Sequence, residues 1–560
     1  MSEPVAQVAS AAPGKGGGRS FVGHAKLIGL LTLGSRILGV LREAIAAKYF
    51  GAGLVSAAFT VAFTIPNLFR RLFGEGALSA AFIPLYSQAL KEQDPLEARR
   101  FAAASVNLLA AILVTITLIG EAGLIGAIYL WPMRPDRLLA VKLTAIMLPY
   151  VLLVCGTAFL GAILQVHKRF GMTAAAPIVL NVALIISTVL GARLWDMDSE
   201  QGRILAIQWV SISVLFAGVI QVAMLLPQLQ AIGFRFELIR FWTPAVRRML
   251  KLSVPVAIGA GVLQISVLID RGLSFMLARS FDASGVPITH FTFLGQTIPY
   301  PMEYGAAARL AWAQYLYQFP LGIFAIALAT AIFPALSAHA LEADRTQFRQ
   351  SLRQGMRVTL WEGLPASVGL VIVAEPAVQV LFQRGRFEYS DTVLVAQSLR
   401  FFAAAIWAFS LAQIINRAFY ALRDTTTPLV LSIVTLIVDL GIKLSLIWSM
   451  GEAGMAAGTS ISFTLQVLLM LWILQRRTGG LELRKLAPFV TKVLVATALM
   501  AGACWAVQLT PLYPQDHEKR TALLRLGLLV VTGSAVYVGA CAAMGMGIGK
   551  YLPRRRKTAN

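Results

Sequence analysis

The sequence predicts an all-α polytopic membrane protein with about fourteen transmembrane helices, on three observations. Of its 560 residues, 57% are hydrophobic and only 14% charged, against roughly 45–50% apolar and about 25% charged in soluble domains. Fourteen segments each supply the roughly 20 mostly apolar residues that a helix needs to cross a bilayer. Lys and Arg gather in alternate loops, the asymmetry that orients spans.

The first six segments fall near 25–49, 54–89, 101–131, 138–165, 172–194 and 203–227. The second is long and is expected to break near Pro66 or the Gly74/Gly76 pair, because proline removes a helical donor and glycine weakens the ladder. Six more lie near 249–279, 309–338, 356–383, 393–422, 427–449 and 454–475, and a last pair near 486–509 and 522–548. Residues 1–24 read as a disordered cytoplasmic tail and 549–560 as a basic one. No cleavable leader is expected, since the first span carries Arg36 and Arg42 in its middle.

Orientation follows from loop charge. KEQDPLEARR, VHKRFG, GFRFELIRFWTPAVRRMLK, RTQFRQSLRQGMR and QRRTGGLELRK are basic, whereas RLWDMDSEQGR, SMGEAG and PLYPQDHEKR are richer in acids. Placing both termini inside satisfies the positive-inside rule at nearly every loop.

A repeat divides the chain. Pro66 precedes ALSAAFIPLYS at 77–87, and Pro320 precedes ALATAIFPALS at 327–337, six spans later. The expectation is two six-helix lobes, 25–230 and 245–478, related by an axis along the membrane normal, with 486–548 outside the duplicated core. A chance match of two Ala- and Pro-rich helices is the alternative.

The net charge of +22, from 49 Lys plus Arg against 27 acids, is topogenic in such a chain and is no argument for nucleic acid. Cys155, Cys504 and Cys541 sit in apolar runs without ligand spacing. The histidines are scattered, so neither metal nor cofactor is expected. Walker-type glycine loops, HExxH, Gly-x-Ser-x-Gly and paired aspartates are all missing, which argues against an ATP-driven pump or a transferase.

Arg36, Arg42, Arg70 and Arg71 lie inside the first two hydrophobic segments. Each intramembrane arginine costs at least about 2.5–3.5 kcal/mol at a helix centre, so four demand a reason. Arg36 and Glu43 are seven residues apart on one face, with Arg42 offset by about a third of a turn. Arg71 and Glu75 have i,i+4 spacing, and Arg70 has Asn67 one turn back. Guanidinium forks in a water-filled cavity suit a phosphate or pyrophosphate; snorkelling to the surface is the alternative. Asp270 and Arg271 interrupt the seventh span, and Asp439 and Lys443 stand at i,i+4 in the eleventh. The latter pair reads as an internal salt bridge or, with Asp270, as a coupling site for a cation or proton. Arg417 and Arg423, within INRAFYALRDTTTP (415–428), are placed for phosphate or lipid headgroup contact.

SRILGVLREAIAAKYFGAG and IPNLFRRLFGEGALSAAFIP resemble the amino-terminal pattern of the MurJ/MviN family of lipid II flippases. PYVLLVCGTAFLGAILQVHKRFGMTAAAPIVLN and INRAFYALRDTTTP are similar to later blocks, so the resemblance spans about 25–478. It implies the multidrug/oligosaccharidyl-lipid/polysaccharide flippase fold, working by alternating access in a bacterial inner membrane. The cargo would be lipid II, the undecaprenyl-diphosphate-linked peptidoglycan precursor, moved to the outer leaflet without enzymatic change. Membrane lipids are implied as partners and the cell-wall synthesis machinery is admitted as one. By motif, Ser35, Arg36, Arg42 and Glu43 fall on first-helix substrate positions and Arg70 and Arg71 on the second-helix pair. The last two spans match a lipid-tail groove.

Departures stand beside the match. Ala57 replaces a frequent acid, and Gln314 and Tyr315 occupy the place of an eighth-span arginine, leaving Arg271 or Arg309 as its substitute. The loop at 280–308 is longer than usual. Some relatives bind sodium between the seventh and eleventh spans; here the Lys443 ammonium is expected to stand in for the ion. Export of another polyprenyl-linked glycan, multidrug antiport, a glycan-processing enzyme and a cell-wall scaffold are the other readings.

Overall fold

A computed structural model describes residues 18–546 apart from 75–76, 93, 283, 324, 341–344 and 517. The tail predicted at 549–560, most of that predicted at 1–24, and Glu75 lie outside the described residues. The predicted segments are helical over most of their described residues. The first half contains α1 (Gly18–Phe50), α2 (Leu54–Phe69), α3 (Ala77–Glu92), α4 (Pro95–Leu130), α5 (Pro135–Met147), α6 (Tyr150–Val166), α7 (Gly171–Leu194) and α8 (Glu200–Ala231). Next come α9 (Pro244–Met276), α10 (Ala306–Ile323), α11 (Ala325–His339), α12 (Thr346–Phe382), α13 (Tyr389–Ala404) and α14 (Ile406–Ala421). The chain continues through α15 (Thr426–Met450), α16 (Glu452–Arg477), α17 (Ala487–Gln508) and α18 (Lys519–Ala543). Among the described residues, eight helices are long and apolar enough to cross a membrane, or ten spans if the bent pairs α5–α6 and α13–α14 count once each. α1 starts at Gly18, ahead of the predicted boundary, since neither proline nor a turn pair interrupts residues 19–25.

The first copy of the motif is an interrupted helix. α2 contains Pro66 and passes into a π-turn over Arg70–Gly74 before α3, which contains Pro84. In the second copy Pro320 lies within α10 and Pro334 within α11, and residue 324 between them is outside the described residues. A second correspondence was not visible in the motif. The fourth segment bends by 43° between α5 and α6, and the tenth, six segments later, by 42° between α13 and α14. The first bend falls at Leu148–Pro149; at the second, the Trp407 amide donates to Ser367 Oγ (3.0 Å) instead of to its own helix.

Contacts divide the chain into two compact units. One comprises residues up to 46, 62–133 and 138–264; the other comprises 47–61, 134–137 and 265–560. In the first unit α6 packs on α3, α4 and α8, with Phe82 stacked among Tyr86, Phe101 and Phe159. In the second unit α12 packs on α13, α14, α17 and α18, around a core that includes Phe348, Phe419 and Met470. Glycines allow close approach of α16 to α15: a Cβ at Gly454 would stand 2.5 Å from Leu446 O, the small-residue packing that membrane helices use. The loop after α9 holds two antiparallel hairpins, β1 (Ser280–Phe281) with β2 (Pro287–Ile288) and β3 (His290–Phe293) with β4 (Gln296–Pro299).

The corner joining α1 to α2 belongs to the second unit. The Arg386 amide donates to Lys48 O (3.0 Å), and Gly305, at φ +78°, lies so close to Ala52 that a Cβ would stand 1.7 Å from its carbonyl oxygen. Gly305→Ala is therefore expected to destabilise far more than Gly285→Ala, whose φ is equally positive (+79°) but whose surroundings are open. Positive φ costs both variants about 1 kcal/mol, so the difference between their thermal midpoints in detergent isolates the steric contact. Equal midpoints would show that the corner yields freely.

Candidate functional site

The predicted site residues are distributed over the two units. In the first, Ser35 and Arg42 share a face of α1, being two helical turns apart. Asn181 of α7 joins them: Arg42 Nη1 donates to Asn181 Oδ1 (3.0 Å), and Asn181 Nδ2 donates to Ser35 O (3.1 Å). The other Arg42 nitrogen pairs with Glu43. This amide is buried and spends both ends on α1, so the guanidinium is held in one orientation. Arg36 is half-buried and has no hydrogen-bond or ion-pair partner among the described residues.

Arg70 opens the π-turn that follows Pro66. Losing the proline donor loosens the helical register here, and π-turns of this kind recur at functional positions. Arg70 Nε and Nη2 both donate to Asn67 Oδ1 (3.1 and 2.9 Å), the predicted one-turn relation. The Tyr150 hydroxyl lies within electrostatic reach of both Arg70 and Arg42 and donates to Gln221 Oε1 (3.3 Å). Gln221 in turn donates to Ala176 O (2.7 Å). Arg71 is exposed, and its expected partner Glu75 lies outside the described residues.

The second unit places Asp270, Asp439 and Lys443 in one buried cluster. Lys443 Nζ donates to Asp270 Oδ1 (2.6 Å) and Asp439 Oδ2 (2.5 Å), and Ser462 Oγ lies 2.8 Å from Asp439 Oδ1. Lys443 is only 1% exposed, with its stem against Gly458, where a Cβ would stand 2.6 Å from Lys443 Cγ. The internal salt bridge read from the i,i+4 spacing is present, and Asp270 completes it from α9. Arg271 is buried, donating to Ala307 O (3.1 Å) and Gln314 Oε1 (2.6 Å). With it the group holds two carboxylates and two cations. Its formal charge is zero.

Of the two substitutes for the missing eighth-span cation, Arg309 is committed elsewhere. Its Nε donates to both oxygens of Glu452 (2.8 and 3.1 Å) and its Nη1 to Tyr304 O (2.5 Å), with Asp391 3.6 Å away. Only Arg271 lies beside Gln314. In the 415–428 motif, Arg417 stacks on Phe333 (5.4 Å), while Asp424 caps α15 through the Thr427 amide (2.9 Å) and pairs with Arg477. Asn181, Ser462, Gly458 and Glu452 were not singled out from sequence. Asn181 closes the quoted block AAPIVLN, and a polar amide within an apolar run was its signal.

The family model described as lipid II flippase MurJ matches residues 46–511. A probable lipid II flippase MurJ of Rhizobium tropici is 32% identical over 91% of this chain and 92% of its own length. Among solved structures, a lipid II flippase MurJ in an inward closed conformation superposes with a TM-score of 0.72 at 21% identity, covering 92% of this chain and 98% of its own. An inward-facing multidrug resistance transporter of the MATE family superposes at 0.61 with 14% identity, over 80% and 95%. At those identities the superpositions establish the fold.

Removing one member of a buried charge cluster leaves the others uncompensated, at a cost of about 3–5 kcal/mol. Lys443→Met is thus expected to lower the thermal midpoint strongly. The triple variant Asp270→Asn, Asp439→Asn, Lys443→Met should recover most of that loss, because no buried charge is orphaned. Thermal unfolding in detergent reads both; a triple variant as unstable as the single one would contradict the pairing.

Proposed function

This chain belongs to the MurJ lipid II flippase family and is a multi-pass membrane protein, and from that premise we propose that it carries lipid II from the cytoplasmic to the outer leaflet of the bacterial inner membrane by alternating access. Both termini are assigned to the cytoplasm on the distribution of basic loops. It acts as a transporter, and its cargo leaves chemically unchanged. One observation supports the choice of cargo above others: Arg36, Arg42 and Arg70 lie in one unit, with Arg42 held by Asn181 and paired with Glu43, and Arg70 held by Asn67. Such a group repels cationic drugs and attracts a diphosphate, which guanidinium forks grip through paired oxygens.

Ser35, Arg36, Arg42, Glu43, Arg70 and Arg71 are proposed as diphosphate-binding residues, and Arg271 as a substrate-binding residue of the second unit. Asn181 is proposed as the group that aims Arg42. Asp270 and Asp439 are proposed as a coupling pair whose cation is supplied permanently by Lys443. The last two helices are proposed to receive the polyprenyl tail. Energy is available from the membrane potential, about 2.3 kcal/mol per charge per 100 mV.

Depletion of the protein should leave lipid II in the inner leaflet, and an Arg42→Ala copy should fail to rescue wall synthesis while the wild-type copy succeeds. Full rescue by Arg42→Ala would remove the arginines from the mechanism, and rescue by Arg36→Ala and Arg42→Ala without restored flipping would favour the scaffold reading. Flipping should proceed equally in sodium-free and sodium-containing buffer. Sodium-stimulated flipping that survives Lys443→Ala but is lost in Asp439→Ala would overturn the tethered-cation assignment.

A further inference from the structure

The segment joining α8 to α9 has a composition that the transport reading does not use. Residues 233–251 carry Arg235, Arg240, Arg247, Arg248 and Lys251 against the single acid Glu237. Between these charges Phe236, Leu238, Phe241 and Trp242 are all exposed. The segment is not a loose tether. Asn107 of α4 donates from its side-chain amide to the carbonyls of Glu237 (2.8 Å) and Ile239 (3.2 Å). Phe234 is buried with its ring edge-on to Phe236 (5.2 Å). Gly233, at φ +72°, lies against the Arg99 guanidinium, which a Cβ would approach to 2.9 Å. The alternation of cations and large apolar groups is therefore presented in a defined shape.

A cavity of about 410 Å³ opens at the end of this segment, lined by Trp242, Thr243, Pro244, Arg247, Arg248 and Lys251. No carboxylate lines it. The Arg247 guanidinium lies 5.6 Å from the Trp242 ring, a cation–π contact that orients the charge without neutralising it. Arg248 also borders a smaller cavity on the α3 side, where Glu92 is the acid present. Arg247 and Lys251 face the larger cavity.

We propose that this cavity binds the phosphoryl headgroup of an anionic phospholipid of the host bilayer, with its acyl chains running along Phe236, Leu238, Phe241 and Trp242. Three cations around one cavity call for a phosphate oxyanion, and a volume in the range of small-molecule sites accommodates a glycerophosphoryl group. The apolar side chains decide between a lipid and free phosphate. Inorganic phosphate would use the cations and leave four large apolar groups in water. A lipid uses both, as interfacial aromatic and basic residues do elsewhere. The site shares no residue with the proposed diphosphate group on α1 and α2, so it stands or falls independently of the cargo.

Native mass spectrometry of the full-length protein, titrated with phosphatidylglycerol, phosphatidylcholine or inorganic phosphate, tests this. Phosphatidylglycerol should be retained in preference to phosphatidylcholine. The variant Arg247→Gln, Arg248→Gln, Lys251→Gln should bind it on the order of 100-fold more weakly, each cation near a membrane surface contributing about a factor of five. Arg247→Lys with Arg248→Lys should retain the lipid, showing that lost charge and not misfolding is responsible. Phe236→Ser with Leu238→Ser should weaken it with all cations in place. Undiminished binding by the triple variant, equal retention of the two lipids, or displacement by inorganic phosphate at matched concentration would overturn the proposal. So would loss of the lipid in Arg36→Ala with Arg42→Ala, which would assign it to the cargo site.

Discussion

Charges inside a bilayer must be met by other charges or by dense hydrogen bonding, because the surrounding hydrocarbon offers neither. This protein satisfies the requirement in two ways. In the second unit Asp270, Asp439, Lys443 and Arg271 neutralise one another, and Arg309 is enclosed by Glu452, Asp391 and backbone carbonyls. In the first unit Arg42 divides its guanidinium between the Glu43 carboxylate and the Asn181 amide, and Asn67 accepts from Arg70. An amide orients a guanidinium without cancelling its charge.

Small residues make these arrangements geometrically possible. Gly458 lets α16 close on the Lys443 stem, and without that approach Ser462 would not reach Asp439. Gly305 lets the α1–α2 corner come into contact near Arg309, whose Nη1 lies 3.5 Å from Ala52 O. Proline has the complementary role. Pro66 precedes the interruption in the second segment, where the π-turn carries Arg70. Packing and charge placement therefore depend on the same few helix irregularities.

Helix positions were legible because fourteen apolar runs separated by charged loops leave little choice. The break after Pro66 and the Asp439–Lys443 pair were legible for a similar reason: both are local, set by one residue's covalent geometry or by a single helical turn. Contacts between distant segments were not. Nothing in local spacing indicates that Asn181 lies opposite Arg42, 139 positions away, or that Asp270 meets Lys443 across 173. Arg309 illustrates the converse error. As a buried cation near the missing eighth-span arginine it looked available for cargo, but Glu452, contributed by α16, occupies it. The start of α1 at Gly18 was missed because composition alone does not separate a polar helical extension from a tail.

The two ways of handling charge have a consequence for how the halves divide the work. A group whose charges cancel internally exerts little field on an approaching anion, since opposite charges a few ångströms apart act at distance as a dipole. The Asp270–Lys443 cluster is of that kind, and Arg271 adds a cation that is already hydrogen-bonded at both ends. The first unit keeps the arginines of α1 and the π-turn set against Glu43, the acid paired with Arg42. On the proposed reading, α1 and the π-turn are where a diphosphate, with roughly two or more negative charges, is first drawn. On this account the lost eighth-span arginine and the lysine in the eleventh segment are linked. On the proposed reading a cluster that carries its own cation and has no net formal charge has a diminished part in capturing the anion, and the weight of recognition moves to Arg36, Arg42 and Arg70.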